Sequence, residues 1–205
     1  MPSRSYGQVC GVARSLDLLG ERWTLLIVRE LLLGPKRFGA LEDALPGIGP
    51  NLLSARLASL SAVGIVERTT LPPPASVPAY ALTEYGERLR DPVEGLAIWG
   101  FELLDPERDV ADGDLARASL LASTMAAGAA RRRSPQDPGV VVNFDVDGDR
   151  FHVRLGKDRA HVRHGEREEA DSSLSCDMRT FYELTRGERR SDDPVLASVL
   201  AEIAP

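Results

Sequence analysis

Between Leu45 and Pro50 the chain reads Leu-Pro-Gly-Ile-Gly-Pro, and this hexapeptide restricts the possible folds more than any other stretch. Proline cannot continue a helix, so Pro46-Gly47 ends one. Pro50 is suited to the first turn of the next, where its missing N–H loses nothing. A turn of about four residues between two helices sets them at a steep angle. Upstream, apolar residues recur at helical spacing in three segments. Residues 9–19 end at Gly20, 21–33 stop at Gly34-Pro35, and 38–45 stop at the hexapeptide. Downstream, 51–62 is closed by Gly64. A β-leaning run over 65–69, a proline-rich tip over 71–78 and a short strand over 80–82 follow. Thr83-Glu84 then opens a long helix carrying Leu89, Val93, Leu96, Ile98, Trp99 and Leu103. Helices, a two-stranded hairpin and flanking helices describe a winged helix-turn-helix domain over 1–104.

The remainder has a different rhythm. Residues 105–113 are charged, lack an apolar face and read as a linker. An alanine-rich helix is expected over 114–133. Strands over 140–146 and 151–155 form a hairpin about 147–150, where Asp147-Gly148 supplies the positive φ that a tight turn needs. Weaker strands cover 160–164 and 172–176, and helices cover 178–185 and 194–203. Helix, sheet and helices in blocks predict a smaller α+β domain over 114–205, so the chain as a whole is α+β.

The formal net charge of −6 disfavours a polyanion-binding surface taken over the whole chain. The acidity is uneven: 10 basic against 11 acidic residues up to Leu104, and 15 against 20 beyond. Nucleic-acid contact therefore requires local patches in the first half. The greasiest run, 25–33, is broken by Arg29 and Glu30, which excludes a membrane span there. The first twenty residues show no secretory signal. Two cysteines, Cys10 and Cys176, build no disulfide framework, so a reducing, cytoplasmic setting is expected. No phosphate-binding loop, nucleophile elbow or paired-histidine zinc helix is present. Gly47-Ile48-Gly49 runs into Pro50-Asn51, which breaks the dinucleotide fingerprint. His161 and His164 stand an odd number apart on one strand and point to opposite faces. No enzyme, metal or cofactor is expected.

Taken at 100° per residue, 51–62 places Leu53, Leu57 and Leu60 on one side, as core. Asn51, Ala55, Ala58 and Ala62 fall opposite, with Ser54 and Ser59 on the flanks. Such a face can lie close against a partner: DNA, or another helix. Asparagine can pair with adenine through two hydrogen bonds, and serine can reach a base or a phosphate. Arg56 lies nearer the core side and suits an intramolecular salt bridge or a phosphate clamp. Lys36 and Arg37 precede the third helix, as phosphate contacts or a solvated pair. Arg131–Arg133 complement a helix C-terminus.

The string from Cys10 through Gly20-Glu-Arg-Trp23, then Lys36-Arg37-Phe38, then Leu45-Pro-Gly and Pro50-Asn-Leu-Leu-Ser-Ala-Arg56 resembles the HxlR-type transcriptional regulators over residues 6–104. The resemblance implies a bacterial winged-helix protein that binds double-stranded operator DNA as a homodimer. It places Asn51 through Arg56 on the groove-reading helix, where Ser59 follows one turn on, and Lys36 and Arg37 in support of it. Two departures stand out. Gly49 replaces the usual serine before Pro50, and the wing over 69–79 has no charged side chain, leaving Arg68 as its nearest cation. Cys10 matches a cysteine that some members use to sense oxidants or electrophiles. Its alternative is a small hydrophobe at a dimer seam.

The order of elements over 112–204 looks like the sterol carrier protein 2-like fold, whose domains bind apolar ligands. On that likeness a hydrophobic effector would sit between the alanine-rich helix and the sheet, lined by Ala122, Ala126, Val142, Phe144, Phe151 and Val153. The long helix from Glu84 and the one over 9–19 are the expected dimer surface. The rival expectation is a lipid carrier in which the winged helix serves only for dimerisation.

Overall fold

The computed structural model describes residues 5–101, 103, 117–132 and 135–204. The chain divides into two compact units, Met1–Val93 and Glu94–Pro205. The linker expected over 105–113, the start of the alanine-rich helix and Arg133 lie outside the described residues.

The first unit opens with α1 (Gly11–Leu19), α2 (Thr24–Leu32), α3 (Phe38–Ala44) and α4 (Pro50–Ala62). One cluster of buried side chains joins the last three: Ile27, Val28 and Leu31 from α2, Leu41 from α3, and Leu53, Leu57 and Leu60 from α4, with Leu19 of α1 packed against it. Leu45 and Ile48 from the hexapeptide belong to the same core. The turn thus anchors two apolar side chains while Gly47, at φ +88°, takes the left-handed conformation between them. The wing is the antiparallel pair β1 (Val66–Thr70) and β2 (Pro78–Leu82), in register from Val66↔Leu82 to Thr70↔Pro78.

Two features depart from the sequence expectation. A backbone bridge joins Lys36 to Tyr80, with Lys36 N–H donating to the Tyr80 carbonyl at 3.0 Å and Tyr80 N–H to the Lys36 carbonyl at 2.8 Å. The residues before α3 therefore lie along the wing. The helix expected from Glu84 also splits, into α5 (Glu84–Glu87) and α6 (Arg90–Phe101). Pro92 cannot donate to the carbonyl four residues back, so a continuous helix is interrupted at Arg88-Leu89. Thr83 caps α5 by accepting from Gly86 N–H at 3.0 Å. Gly86 is needed at this point because a Cβ there would fall 2.1 Å from the Ile65 carbonyl oxygen.

The second unit contains α7 (Ala118–Ala130), β3 (Val141–Val146), β4 (Asp149–Leu155), β5 (Ala160–His164), β6 (Ser172–Cys176), α8 (Met178–Thr185) and α9 (Pro194–Ile203). Sheet order is β5-β4-β3-β6, with β6 parallel to β3 and the other pairs antiparallel. It is a four-stranded mixed sheet. Asp147 (φ +50°) and Gly148 (φ +83°) make the two-residue hairpin turn, so Asp149 and Arg150 belong to β4. Alternate residues of β3 and β4 are fully buried.

The expected ligand layer is core. Ala122, Ala126, Val142, Phe144, Phe151 and Val153 are all buried. Phe144 stacks on Phe151 with ring centroids 5.1 Å apart, and Phe181 of α8 meets both edge-on at 5.9 and 6.1 Å. Phe181 thus adds a third ring to this layer, and all six residues belong to the buried core of the unit. Among the described residues no helix is long and apolar enough to cross a membrane.

Candidate nucleic-acid interface

Helix α4 is seated by Leu53, Leu57 and Leu60, and its other face is open. Asn51, Leu52, Ser54, Ala55, Ala58, Ser59 and Ala62 are exposed. Gly49 stands at the N-cap and offers no side-chain acceptor to the first-turn amides of α4. Asn51 and Ser54 make no side-chain hydrogen bond among the described residues. Ser59 differs, since its hydroxyl donates to the Ala55 carbonyl at 2.9 Å within the helix.

Arg56 turns toward the body of the domain and pairs with Glu21 at 2.7 Å. Of its two readings, the intramolecular salt bridge is the one formed. The pair fastens α4 to the turn before α2. Next to it, Trp23 adopts φ +77° as the residue preceding α2, with the Arg22 guanidinium 5.1 Å above its ring. The same ring lies against the hexapeptide, since a Cβ on Gly47 would sit 3.8 Å from it. Residues 21–23 therefore brace both the turn and the exposed helix. An angular analysis of α4 alone misses Glu21 and Trp23, whose only signal is the Glu-Arg-Trp string.

Lys36 and Arg37 part company. Along an extended segment successive side chains alternate in direction, and the bridge to Tyr80 makes this segment extended. Lys36 points inward, with its ammonium 3.5 Å from Glu30, and the two side chains are only 9% and 0% exposed. Arg29 holds the other Glu30 oxygen at 2.8 Å. The phosphate contact expected of Lys36 is thus not presented to solvent; the lysine balances a buried carboxylate. Arg37 is exposed immediately before α3. Arg68 is exposed on β1, its guanidinium 5.9 Å over the Tyr80 ring.

Cys10 is exposed at the N-cap of α1. Backbone hydrogen bonds from Ala13 and Val12 hold its thiol below the ordinary cysteine value. Arg14, one turn on in α1, pairs with Asp17 at 3.4 Å. Nearby Val9, Val12 and Leu16 are exposed, as are Leu96 and Trp99 on α6. His164 lies 4.0 Å from Asp149, and its Nε2 is 3.0 Å from the Arg117 guanidinium. The Ser119 N–H donates to Asp149 at 2.8 Å, so this cluster fixes the start of α7.

Residues 18–108 match the HxlR-like helix-turn-helix family. The transcriptional regulator YvaP of Bacillus subtilis is 37% identical over 93 residues, which are 45% of this chain and 86% of that protein. YodB, another HTH-type transcriptional regulator of B. subtilis, is 36% identical over 45% of this chain and 82% of its own. The regulator Rv3095 of Mycobacterium tuberculosis is 44% identical over 45% of this chain and 58% of its own. The structure of YodB in its reduced form covers 48% of this chain and 98% of that one, at 35% identity and a TM-score of 0.40. None of these matches assigns the second unit. Through its first half, this chain belongs to the HxlR-like helix-turn-helix family.

Proposed function

We propose that the chain is a cytoplasmic, non-enzymatic transcriptional regulator that binds double-stranded operator DNA as a homodimer, with its second unit taking a small-molecule effector. The observation that carries this reading is the open face of α4. It is small and short-sided, stands on three buried leucines, and is braced from behind by the Glu21–Arg56 pair. A helix serving dimerisation alone has no need to keep Asn51 and Ser54 free of partners. Asn51 and Ser54 read base edges in the major groove, while Arg37, Arg68 and the open amides at the start of α4 meet phosphates. The apolar residues exposed on α1, and separately those exposed on α6, each support self-association. In the second unit, the order of helix, three antiparallel strands, a strand returning parallel to β3 and two helices is what favours a likeness to sterol carrier protein 2-like domains.

Fluorescence anisotropy against the DNA upstream of the chain's own gene tests the reading. Asn51→Ala is expected to weaken that complex by about five- to 150-fold and to narrow its margin over scrambled DNA, since a bidentate base contact is worth about 1–3 kcal/mol. Parent-like affinity and selectivity in Asn51→Ala would overturn the assignment of α4.

A further inference from the structure

Beyond Leu104 the chain carries 15 basic against 20 acidic residues, yet one stretch of it is strongly cationic. Residues 150–164 hold five arginines and lysines and all three histidines, against a single carboxylate, Asp158. Val142, Phe144, Phe151, Val153 and Val162 are buried, so the residues between them point to the opposite face of the sheet. On that outward face Asn143, His152 and Arg163 stand in one row across β3, β4 and β5. Arg154 follows His152 on the same face, about 7 Å further along β4.

The segment from Gly165 to Asp171 brings in another arginine. β5 and β6 lie at opposite edges of the sheet, so this segment crosses one face, and its bonds place it on the outward one. Asn143 holds the backbone of Arg167 twice: its Nδ2 donates to the Arg167 carbonyl and its Oδ1 accepts from the Arg167 N–H, each at 2.9 Å. His152 Nδ1 lies 2.7 Å from the Gly165 carbonyl. A carbonyl only accepts, so Nδ1 carries the proton, and the neutral ring keeps a bare Nε2 with no partner among the described residues. Burial first, and then the charges of Arg167, Arg163 and Arg154, hold this imidazole below the ordinary histidine value, against the Gly165 bond that raises it.

These cations are not neutralised where they stand. Arg154 and Arg167 are exposed and form no ion pair among the described residues, and neither do Glu166, Glu168 and Glu169 of the crossing segment. Like charges gathered in this way repel one another, and an anion seated among them relieves that repulsion. Guanidinium forks match the oxygens of a phosphate group in particular. A nucleic-acid strand fits this face less well, because Glu166, Glu168 and Glu169 flank Arg167 in the chain and repel its further phosphates.

We infer that the outward face of this sheet binds one phosphate group, free or as the monoester of a small molecule, held by Arg154 and Arg167 with His152 Nε2 as the third contact. Arg163 adds its charge from β5. This binding is independent of operator recognition by α4.

The test follows the histidine ring signals of the full chain by NMR, with His152→Gln to assign one of the three. At pH 7.5 and constant ionic strength, replacing chloride with inorganic phosphate is expected to move the His152 signal saturably, with one site per chain. It is also expected to raise the midpoint of the His152 titration, since a bound anion favours the imidazolium. The double variant Arg154→Gln, Arg167→Gln, which changes two exposed residues, is expected to melt like the parent and to bind phosphate at least about tenfold more weakly. Without phosphate, the same variant should raise the His152 midpoint, because two cations have left its surroundings. A shift that grows linearly with phosphate overturns the inference. So does parent-like phosphate affinity, or an unraised midpoint, in the double variant. Scrambled duplex DNA is the competing ligand. Its failure to displace phosphate supports a site for a small anion, whereas displacement at a lower concentration of phosphate groups than free phosphate requires would make this face a nucleic-acid surface and overturn the inference.

Discussion

Replacing Lys36 with methionine distinguishes a buried ion pair from a phosphate contact, and its neighbour supplies the contrast. At 3.5 Å and an effective dielectric constant of about 20, the attraction between Lys36 and Glu30 is about 5 kcal/mol. Lys36→Met keeps most of the side chain's volume but takes the ammonium away from the buried Glu30, which still holds Arg29 at 2.8 Å. That remaining bond limits the damage, so the net cost falls below the 3–5 kcal/mol typical of an orphaned buried charge, at about 2–3 kcal/mol. For a unit of this size, that lowers the melting temperature by about 10 °C or more. Trp23 lies beside the affected core, and its fluorescence follows the transition. Below that transition, operator affinity and its salt dependence should stay close to the parent's. Arg37→Ala should do the reverse, melting normally while weakening all DNA sequences alike and reducing the salt slope by about one. A Lys36→Met protein that melts with the parent, yet loses affinity and salt slope, would refute the inward assignment and restore Lys36 as a phosphate contact.

Iodoacetamide should discriminate between the two thiols. At pH 7.5, Cys10 should react faster than Cys176, because the α1 backbone amides lower its pKa whereas burial and the nearby Asp177 and Asp147 raise that of Cys176. The Cys10 rate should rise with pH to a midpoint below 9.0, and equal rates in the folded protein would show that the amides have no such effect. In the second unit, Phe181→Ala removes the ring that meets both Phe144 and Phe151. It should destabilise by about 3–5 kcal/mol in a denaturant titration, and a loss under 1 kcal/mol would mean that the layer is not packed as described.

The winged-helix unit was legible because its signals are local and independent of one another. Pro46, Gly47 and Pro50 restrict the backbone by covalent geometry alone, and Leu53, Leu57 and Leu60 fix one face of α4 by period. The partition of Lys36 and Arg37 was not legible. It depends on a backbone bridge to Tyr80, 44 positions away in the chain, and no periodicity within 33–38 announces it. Charge type alone made the two residues look equivalent; strand alternation separates them. Arg56 was half legible. Its angle placed it toward the core, but naming Glu21 as its partner required the relative placement of α4 and the turn before α2. The break between α5 and α6 could have been read from Pro92, whose effect on the preceding turn is as local as that of Pro46.

The second unit shows why an imbalance in side-chain volume does not by itself locate a cavity. Small residues at Ala118, Ala122 and Ala126 opposite large strand residues can leave a gap, or they can let a helix approach closely while other side chains occupy the rest. The choice depends on where a third element delivers its bulk, and here α8 brings Phe181 onto Phe144 and Phe151. That same delivery has a consequence at the other end of α8. With Phe181 and Leu184 turned inward, Tyr182 and the arginines after it fall to the outer side. Gly187, at φ +72°, then turns the chain toward α9 before the helices can close on each other. Open volume in this unit thus lies at the α8–α9 edge, lined in part by Met125 of α7 and rimmed by cations.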